Sequence, residues 1–188
     1  MLYSELQCSE AIHKAVERMG FAEMTEIQEK TIPVMLVGRD VIAKAPTGTG
    51  KTCAFGIPVA EHIDPEKKYP QAVIMAPTRE LAQQIAEELT ELTYFMPEVQ
   101  VACVYGGANM EKQARRLAEG CQIVVATPGR LMDHYKHHSI DLAHVTQVVL
   151  DEADEMLNMG FYKDVRHIIE LMLSLIHISE PTRLALIS

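Results

Sequence analysis

Ala45-Pro46-Thr47-Gly48-Thr49-Gly50-Lys51-Thr52 follows directly on a short apolar run, DVIAK, that is typical of a buried strand. The two glycines let the backbone approach phosphate oxygens closely, and successive N–H groups can line an anion-binding concavity where a helix begins. In this pattern the lysine reaches the β- and γ-phosphates and the last threonine hydroxyl holds Mg²⁺. The stretch therefore predicts a phosphate-binding loop, with alanine where the commonest form has its first glycine. A glycine-rich turn that merely joins a strand to a helix is the weaker alternative.

Short apolar runs alternate with helical patterns on both sides of this loop. The runs that predict strands are at 40–44, 71–75, 99–105, 122–126 and 145–150. Helix-like spacing occurs at 25–36, 51–62, 78–92, 110–119, 129–137 and 155–172. This alternation predicts an α/β fold, a parallel sheet with helices on both faces. Ligands of such sheets bind at the carboxyl ends of the strands.

A second chemical signal is the run Asp151-Glu152-Ala153-Asp154, which comes straight after the apolar run 145–150. A carboxylate at the end of a buried strand is the partner that a phosphate loop requires. Asp151 is expected to bind Mg²⁺ through water, and Glu152 to orient and activate the attacking water. With Lys51 and Thr52 they form the predicted catalytic group. A solvated acidic turn is the alternative, and the phosphate loop upstream weakens it.

The composition is that of an ordinary globular protein, with 48% hydrophobic and 23% charged residues among 188. The net charge of −9 argues on its own against a nucleic-acid binder, although it is compatible with a local basic surface. The four cysteines lie far apart, which favours reduced thiols. Because there is no secretory signal and no apolar run of about 18 residues, a cytoplasmic location without membrane contact is expected.

Five further motifs in a fixed order give the chain a family resemblance. They are Tyr3, GFAEMTEIQ at 20–28, PTREL at 77–81, the pair Gly106-Gly107, and TPGR at 127–130. With APTGTGKT and the tetrapeptide DEAD they resemble the DEAD-box ATP-dependent RNA helicases of bacterial type over about residues 3–172. The resemblance implies a RecA-like P-loop NTPase domain that takes ATP and Mg²⁺.

The resemblance also implies an adenine site beside the phosphate loop. Gln28 would read the adenine edge through its amide, which offers a donor and an acceptor, and Phe21 would pack on the adenine face. Thr25 is independently typical of an N-cap for the helix that presents Gln28. Met24 departs from the family's proline, so the approach to this site is expected to be looser.

The remaining motifs resemble the family's RNA-contacting segments. Their residue types suit phosphate and sugar contacts: arginine cations, threonine hydroxyls and glycines that expose N–H groups. The residues implied are Pro77, Thr78, Arg79, Gly106, Gly107, Thr127, Pro128, Gly129 and Arg130. Few base-reading side chains are among them, so sequence-independent RNA binding is expected. They also fit ordinary strand-to-helix turns, and the two interpretations are compatible.

Two clusters are not predicted to be functional. His134, His137 and His138 fall at the end of a predicted helix, where cationic histidine complements the helix dipole, and a metal site is the weaker hypothesis. The basic residues of the stretch 110–119 are interpreted as a solvated helix face.

Three segments are expected: 1–29, the region of the motif GFAEMTEIQ; 30–172, the ATP-binding domain; and 173–188, a tail outside the family pattern. LSLIHISEPTR in that tail resembles a translated sequencing adapter, and resequencing the locus tests this origin. The family's next strand is missing, so the sheet is expected to be incomplete at its C-terminal end and to fold poorly alone. The apolar stretch 173–179 is strand-like enough to enter the vacant position.

The resemblance implies that the parent protein couples ATP hydrolysis to local separation of short RNA duplexes. A second domain would supply an arginine to the transferring phosphoryl group. This chain alone is expected to bind nucleotide and RNA weakly, without turnover. A P-loop motor acting on DNA and a non-catalytic RNA-binding module remain alternatives.

Overall fold

The structure, a computed structural model, describes residues 1–46, 48–176 and 183–187, with the backbone alone for 173–176 and 183–187. The strands in these residues are β1 (Val41–Ala43), β2 (Ala72–Met75), β3 (Val101–Val104), β4 (Ile123–Ala126), β5 (Gln147–Asp151) and β6 (Arg183–Ile187). They form one parallel sheet in the order β1-β6-β5-β2-β4-β3. The five predicted strands are confirmed, with their ends moved by one or two residues.

The helices cover the sheet as the alternating pattern predicts. They are α1 (Glu10–Arg18), α2 (Glu26–Leu36), α3 (Lys51–Glu61), α4 (Arg79–Leu92), α5 (Met110–Ala118), α6 (Pro128–Lys136), α7 (Ala153–Asn158) and α8 (Tyr162–Ile176). The single helix predicted at 155–172 is wrong, because Gly160 at φ +84° separates α7 from α8. The prediction also missed α1, although the hydroxyl of Ser9 accepts a hydrogen bond from Ile12 N and caps it.

Two hydrophobic cores, one on each face, explain why the strands are apolar throughout. In β2, Ile74 belongs to the core shared with α1 to α4, and Val73 belongs to the core shared with α5 to α8. All four residues of β2 and of β4 are buried, as expected for strands covered on both sides. The predicted α/β fold with helices on both faces is confirmed.

The position between β1 and β5 is filled by β6, so the described sheet is continuous there. Ala185 is in register with Val41 on one side and with Val149 on the other. The expected gap is therefore wrong, because the short run RLALI can form parallel ladders with both neighbours. Residues 173–176 extend α8 instead of entering the sheet, and 177–179 lie outside the described residues. In the part of the chain that the structure describes, no helix combines the length and apolarity needed to span a membrane.

Candidate functional site

The phosphate loop joins β1 to α3 at the carboxyl edge of the sheet. Gly48 and Gly50 have φ of +79° and +80°, a conformation that glycine adopts without the steric cost of a Cβ. Gly50 is the N-cap of α3, and Lys51, 8% exposed, is its first residue. The loop closes on itself through the Thr49 hydroxyl, which donates to Pro46 O at 2.7 Å. Thr47 lies outside the described residues.

The motif GFAEMTEIQ is fastened to this loop by side chains at the start of α2. Thr25 Oγ1 donates to Thr49 O at 2.8 Å, and Gln28 Nε2 donates to Gly50 O at 3.0 Å. Gln28 Oε1 accepts from Thr25 N at 2.8 Å, so the predicted N-cap threonine lies in a reciprocal capping box. A Cβ on Gly50 would lie 2.3 Å from Gln28 Nε2, so a side chain here would displace the Gln28 amide. The two sequence motifs therefore form one structural unit.

The acidic residues of DEAD meet the loop at the end of β5. Asp151 ends the strand with 3% exposure, and Glu152 adopts φ +53°, an uncommon conformation for a residue with a side chain. Lys51 Nζ lies 3.6 Å from Glu152 Oε1. Burial raises the pKa of Asp151 to about 6; Lys51 opposes this rise and Glu152 adds to it. A buried carboxyl with this pKa is under-compensated, which is the environment that a bound cation relieves.

One cavity of about 480 Å³ unites these groups. Phe21, 44% exposed, lines it beside Tyr3, and the two rings stack with centroids 6.4 Å apart. The other predicted residues that line it are Thr25, Gln28, Gly48, Gly50, Lys51, Thr52, Asp151 and Glu152. The predicted loop residues Ala45, Pro46 and Thr49 line a second cavity instead. Hydroxyl and carboxylate oxygens from Thr52 and Asp151 are donors suited to Mg²⁺. The cavity thus offers N–H groups and a lysine for phosphate, oxygens for a hard cation, and an aromatic face.

Among the lining residues that sequence reasoning missed is a polar pair on α4, Gln84 and Glu88. Gln84 Nε2 donates to Glu88 Oε1 at 2.9 Å, and Glu88 also contributes to the raised pKa of Asp151. Their spacing of four residues on the helix that begins within PTREL puts them on one face, which was a usable signal.

The predicted RNA-contacting motifs come together at the carboxyl ends of β2, β4 and β3, which are neighbours in the sheet. Thr78 caps α4 by accepting from Leu81 N at 3.2 Å. Thr127 is the N-cap residue of α6 but makes no side-chain capping hydrogen bond, and Pro128 follows it in the first turn. Gly107 has φ +83°, and a Cβ on it would lie 4.0 Å from Arg79 Nη1. Around Gly106 and Gly129, by contrast, a Cβ would meet no described heavy atom within 4 Å.

The two arginines of these motifs differ in their freedom. Arg79 is 54% exposed and pairs with Glu80 at 2.9 Å, so its guanidinium faces solvent. Arg130 is 12% exposed, and its Nη1 donates to Ala108 O and Gln113 Oε1, both at 3.0 Å. Arg79 is therefore available to a phosphate, whereas Arg130 is largely occupied within the protein.

The histidine cluster does not form one group at the helix end. His134 is fully buried. Its pKa is lowered mainly by burial and further by the positive charge of Arg130, so the expectation of a cationic histidine there is wrong. His137 lies outside this core and contacts Asp133 O through Nδ1 at 2.7 Å. Within the described ranges, no set of three or more histidine, cysteine or acidic side chains is arranged to hold a metal ion.

A parallel α/β sheet with a phosphate loop after β1 and an acidic pair after β5 defines a P-loop nucleotide-binding protein of the RecA-like class. The family model described as DEAD/DEAH box helicase matches residues 25–188, and the chain belongs to this family.

Known relatives agree with this assignment. The chain is 52% identical over 170 residues to the "ATP-dependent RNA helicase CshA" of Limosilactobacillus reuteri, a match covering 90% of this chain and 34% of that protein. It is 47% identical over 166 residues to the "ATP-dependent RNA helicase DeaD" of Escherichia coli, covering 88% and 26%. A crystal structure of a DEAD box protein from Methanococcus jannaschii matches all of this chain and 50% of its own, with a TM-score of 0.87 and 38% identity. The chain spans about a third of the length of the first of these relatives.

Proposed function

We propose that this chain is the first nucleotide-binding domain of an ATP-dependent RNA helicase, a protein that couples ATP hydrolysis to local opening of RNA duplexes. The observation that carries the proposal is the single cavity lined by Gln28, Lys51 and Asp151, which belong to three separate motifs. The activity belongs to the whole protein, because the chain spans only part of its relatives. We further propose that 1–29 form the adenine-recognising region and 30–172 the ATP-binding domain.

The residues of the cavity suit phosphoryl transfer to water. Lys51 and the N–H groups at the start of α3 would neutralise the β- and γ-phosphates. Glu152, 3.6 Å from Lys51 Nζ, would hold and orient the attacking water and accept its proton. Mg²⁺ would supply charge neutralisation between the phosphate oxygens, held by the Thr52 hydroxyl and, through water, by Asp151. The raised pKa of Asp151 fits this assignment, because a buried carboxyl gains most from a nearby cation.

Adenine recognition would use the hydrogen-bond donor and acceptor of Gln28 that remain after its two bonds within the protein. Its amide has two N–H groups and an oxygen with two lone pairs, and one hydrogen bond to each atom is taken inside the protein. A second donor and a second acceptor remain for an adenine edge, where the N6 amine donates and an adjacent ring nitrogen accepts. Phe21 would cover the face of that purine. Because Gln28 also holds Gly50 O, the same side chain would couple base recognition to the shape of the phosphate loop.

RNA would lie across the carboxyl ends of β2, β4 and β3 and would be held through its backbone. Arg79 offers an exposed cation, and the loops of the glycine pair and of Thr127 offer N–H groups. These contacts carry no base code, so binding independent of sequence follows. The net charge of −9 does not oppose this, because a few local donors suffice.

ATP hydrolysis by the whole protein, measured with single-stranded RNA, with DNA of the same sequence and with neither, tests the proposal. RNA is expected to stimulate hydrolysis and DNA is not, and Glu152→Gln is expected to abolish turnover while retaining nucleotide binding. Equal stimulation by DNA would favour a DNA motor. Binding of RNA without any hydrolysis would favour a non-catalytic RNA-binding module.

A further inference from the structure

A buried hydrogen-bond network lies behind the proposed RNA surface and involves residues outside all of the sequence motifs. Arg130 Nη1 donates to Ala108 O and to Gln113 Oε1, so both of its hydrogens are used. Arg130 Nε lies 3.9 Å from Asp133 Oδ2, a long contact. The guanidinium is thus held through Nη1, while Nη2 makes no hydrogen bond to a described residue.

Gln113 on α5 is the centre of this network. It is 8% exposed, its Oε1 accepts from Arg130, and its Nε2 donates to Tyr105 O at 3.1 Å. The acceptors and donors around it fix which way the amide points, because the nitrogen must face the Tyr105 carbonyl. Leucine would have a similar size at this position but could hold neither partner.

His134 on α6 completes the network from a fully buried position. Its Nε2 lies 3.0 Å from Gln113 Oε1, so Nε2 carries the proton and donates. Its Nδ1 is buried without a hydrogen-bond partner in the described structure, which leaves it unprotonated. Arg130 contributes to keeping this imidazole neutral, because a second positive charge beside its guanidinium would be repelled. His134 therefore acts as a single N–H donor that holds the Gln113 amide.

The network clamps both ends of the loop that carries the glycine pair. Tyr105 and Ala108 stand immediately before and after Gly106-Gly107, and both of their carbonyls accept hydrogen bonds from the network. The same loop also lies near the motif PTREL, since a Cβ on Gly107 would be 4.0 Å from Arg79 Nη1. Two proposed RNA contacts, the glycine pair and the start of α6, are thereby set relative to one another.

We propose that Gln113 and His134 are positioning residues for RNA binding, which hold the loop 105–108 and Arg130 in the geometry that an RNA backbone requires. This inference rests on the proposed function. It predicts that breaking the network lowers RNA affinity while nucleotide affinity is unchanged, because the network does not touch the phosphate loop.

The test measures binding of a fluorescein-labelled oligouridylate RNA by anisotropy, with the full chain and its variants. Gln113→Leu removes the central amide, and His134→Phe removes the N–H donor while keeping a ring. Each is expected to weaken RNA binding about tenfold, since the released loop must be ordered again on binding. His134→Gln, whose amide N–H can replace the ring Nε2–H, is expected to restore affinity. The double variant Gln113→Leu/His134→Phe should be no weaker than either single variant, because both remove the same network.

Gln122→Leu is the matched control. Gln122 is also a buried glutamine with three hydrogen bonds, but it lies at the amino end of β4, away from the RNA surface. It should lower stability without changing RNA affinity. Equal loss of RNA affinity in this control, or equal effects of His134→Phe and His134→Gln, would overturn the positioning role.

Two further readouts separate this inference from the function on which it rests. Hydrogen exchange of the amides at 105–108 should accelerate in Gln113→Leu and His134→Phe, and unchanged exchange would overturn the inference whether or not RNA binds. Affinity for a fluorescent ADP should stay the same in every variant. If the unaltered chain binds ADP but no RNA, the proposed RNA contact itself fails.

Discussion

Replacing Asp151 by asparagine is expected to stabilise the nucleotide-free chain at neutral pH. Asp151 is 3% exposed, and its carboxyl accepts a hydrogen bond from Glu152 N at 3.1 Å, which the asparagine oxygen can also accept. The substitution therefore removes a buried charge and keeps the contact of that side chain with the backbone. A residue proposed to serve Mg²⁺ is thus expected to be a liability for folding in the absence of the cation.

The size of this effect follows from the pKa of Asp151. Burial raises the pKa from 3.8 to about 6, with Lys51 as the main opposing influence. A pKa shift of one unit corresponds to about 1.4 kcal/mol, so ionising Asp151 costs about 3 kcal/mol more in the folded than in the unfolded chain. Because the folded-state pKa is the higher one, the native chain binds the extra proton between these values. The stability due to this group is therefore complete below about pH 4 and is lost as the pH rises through about 6.

Urea unfolding in the presence of EDTA, from about pH 4 to about pH 7, measures the effect. The asparagine variant should exceed the unaltered chain by up to about 3 kcal/mol at neutral pH, and the two should converge at the acidic end. Asp154→Asn, an exposed neighbour, is the control and should change stability by no more than about 0.5 kcal/mol. An asparagine variant that is less stable at neutral pH, or a difference that does not vary with pH, would refute the reasoning.

Three further outcomes are expected. Gly50→Ala should weaken binding of fluorescent ADP and destabilise the chain by about 1–3 kcal/mol, because its φ is +80° and the new Cβ would lie 2.3 Å from Gln28 Nε2; unaltered binding and stability would contradict this. Gly56→Ala should lower the urea midpoint, since a Cβ there would lie 2.9 Å from two leucine side chains of α4. Such overpacking costs about 1–3 kcal/mol, which exceeds the roughly 1 kcal/mol by which alanine is favoured over glycine in a helix. His134→Gln should reduce the decline of the unfolding free energy below about pH 6.5. Because the pKa of His134 is lowered in the folded chain, the unfolded chain binds a proton that the native chain does not bind as the pH falls. An unfolding free energy that declines equally with pH in the variant and the unaltered chain would argue against a buried neutral imidazole.

The fold was largely predictable because its signals are local. Five apolar runs of β-branched residues, each followed by a helical pattern, were sufficient to predict the parallel sheet and its two covered faces. The errors have equally local causes. The separation of α7 from α8 was visible in Gly160, and α1 was visible in Ser9 followed by apolar residues at helical spacing. The position of β6 was not visible, because RLALI gains its place only by pairing with β1 and β5, which lie far away in the sequence.

In the candidate site, the residues that the sequence predicts are more clearly separated from those that it does not. Spacing and residue type predicted that Lys51 and Asp151 serve one ligand, the family resemblance added Gln28, and these residues line one cavity. Sequence could not predict that Arg130 is mostly used inside the protein, since that depends on Gln113 reaching it from another helix. Nor could it predict that His134 is buried and neutral, because its position near a helix end suggested the opposite. Sequence motifs therefore indicate the residues that contact a ligand more readily than the residues that hold those contact residues in place.

Selective binding of an adenine nucleotide at the phosphate loop is the property on which the proposed function most depends. Isothermal titration of the chain with ADP and with GDP, each with Mg²⁺, measures it directly, and Lys51→Ala and Lys14→Ala serve as the site variant and an exposed control. ADP is expected to bind at least about tenfold more tightly than GDP, a difference of about 1.4 kcal/mol. Lys51→Ala should abolish binding of both nucleotides, whereas Lys14→Ala should leave both affinities unchanged. Equal affinity for the two nucleotides, or ADP binding unaffected by Lys51→Ala, would contradict the account.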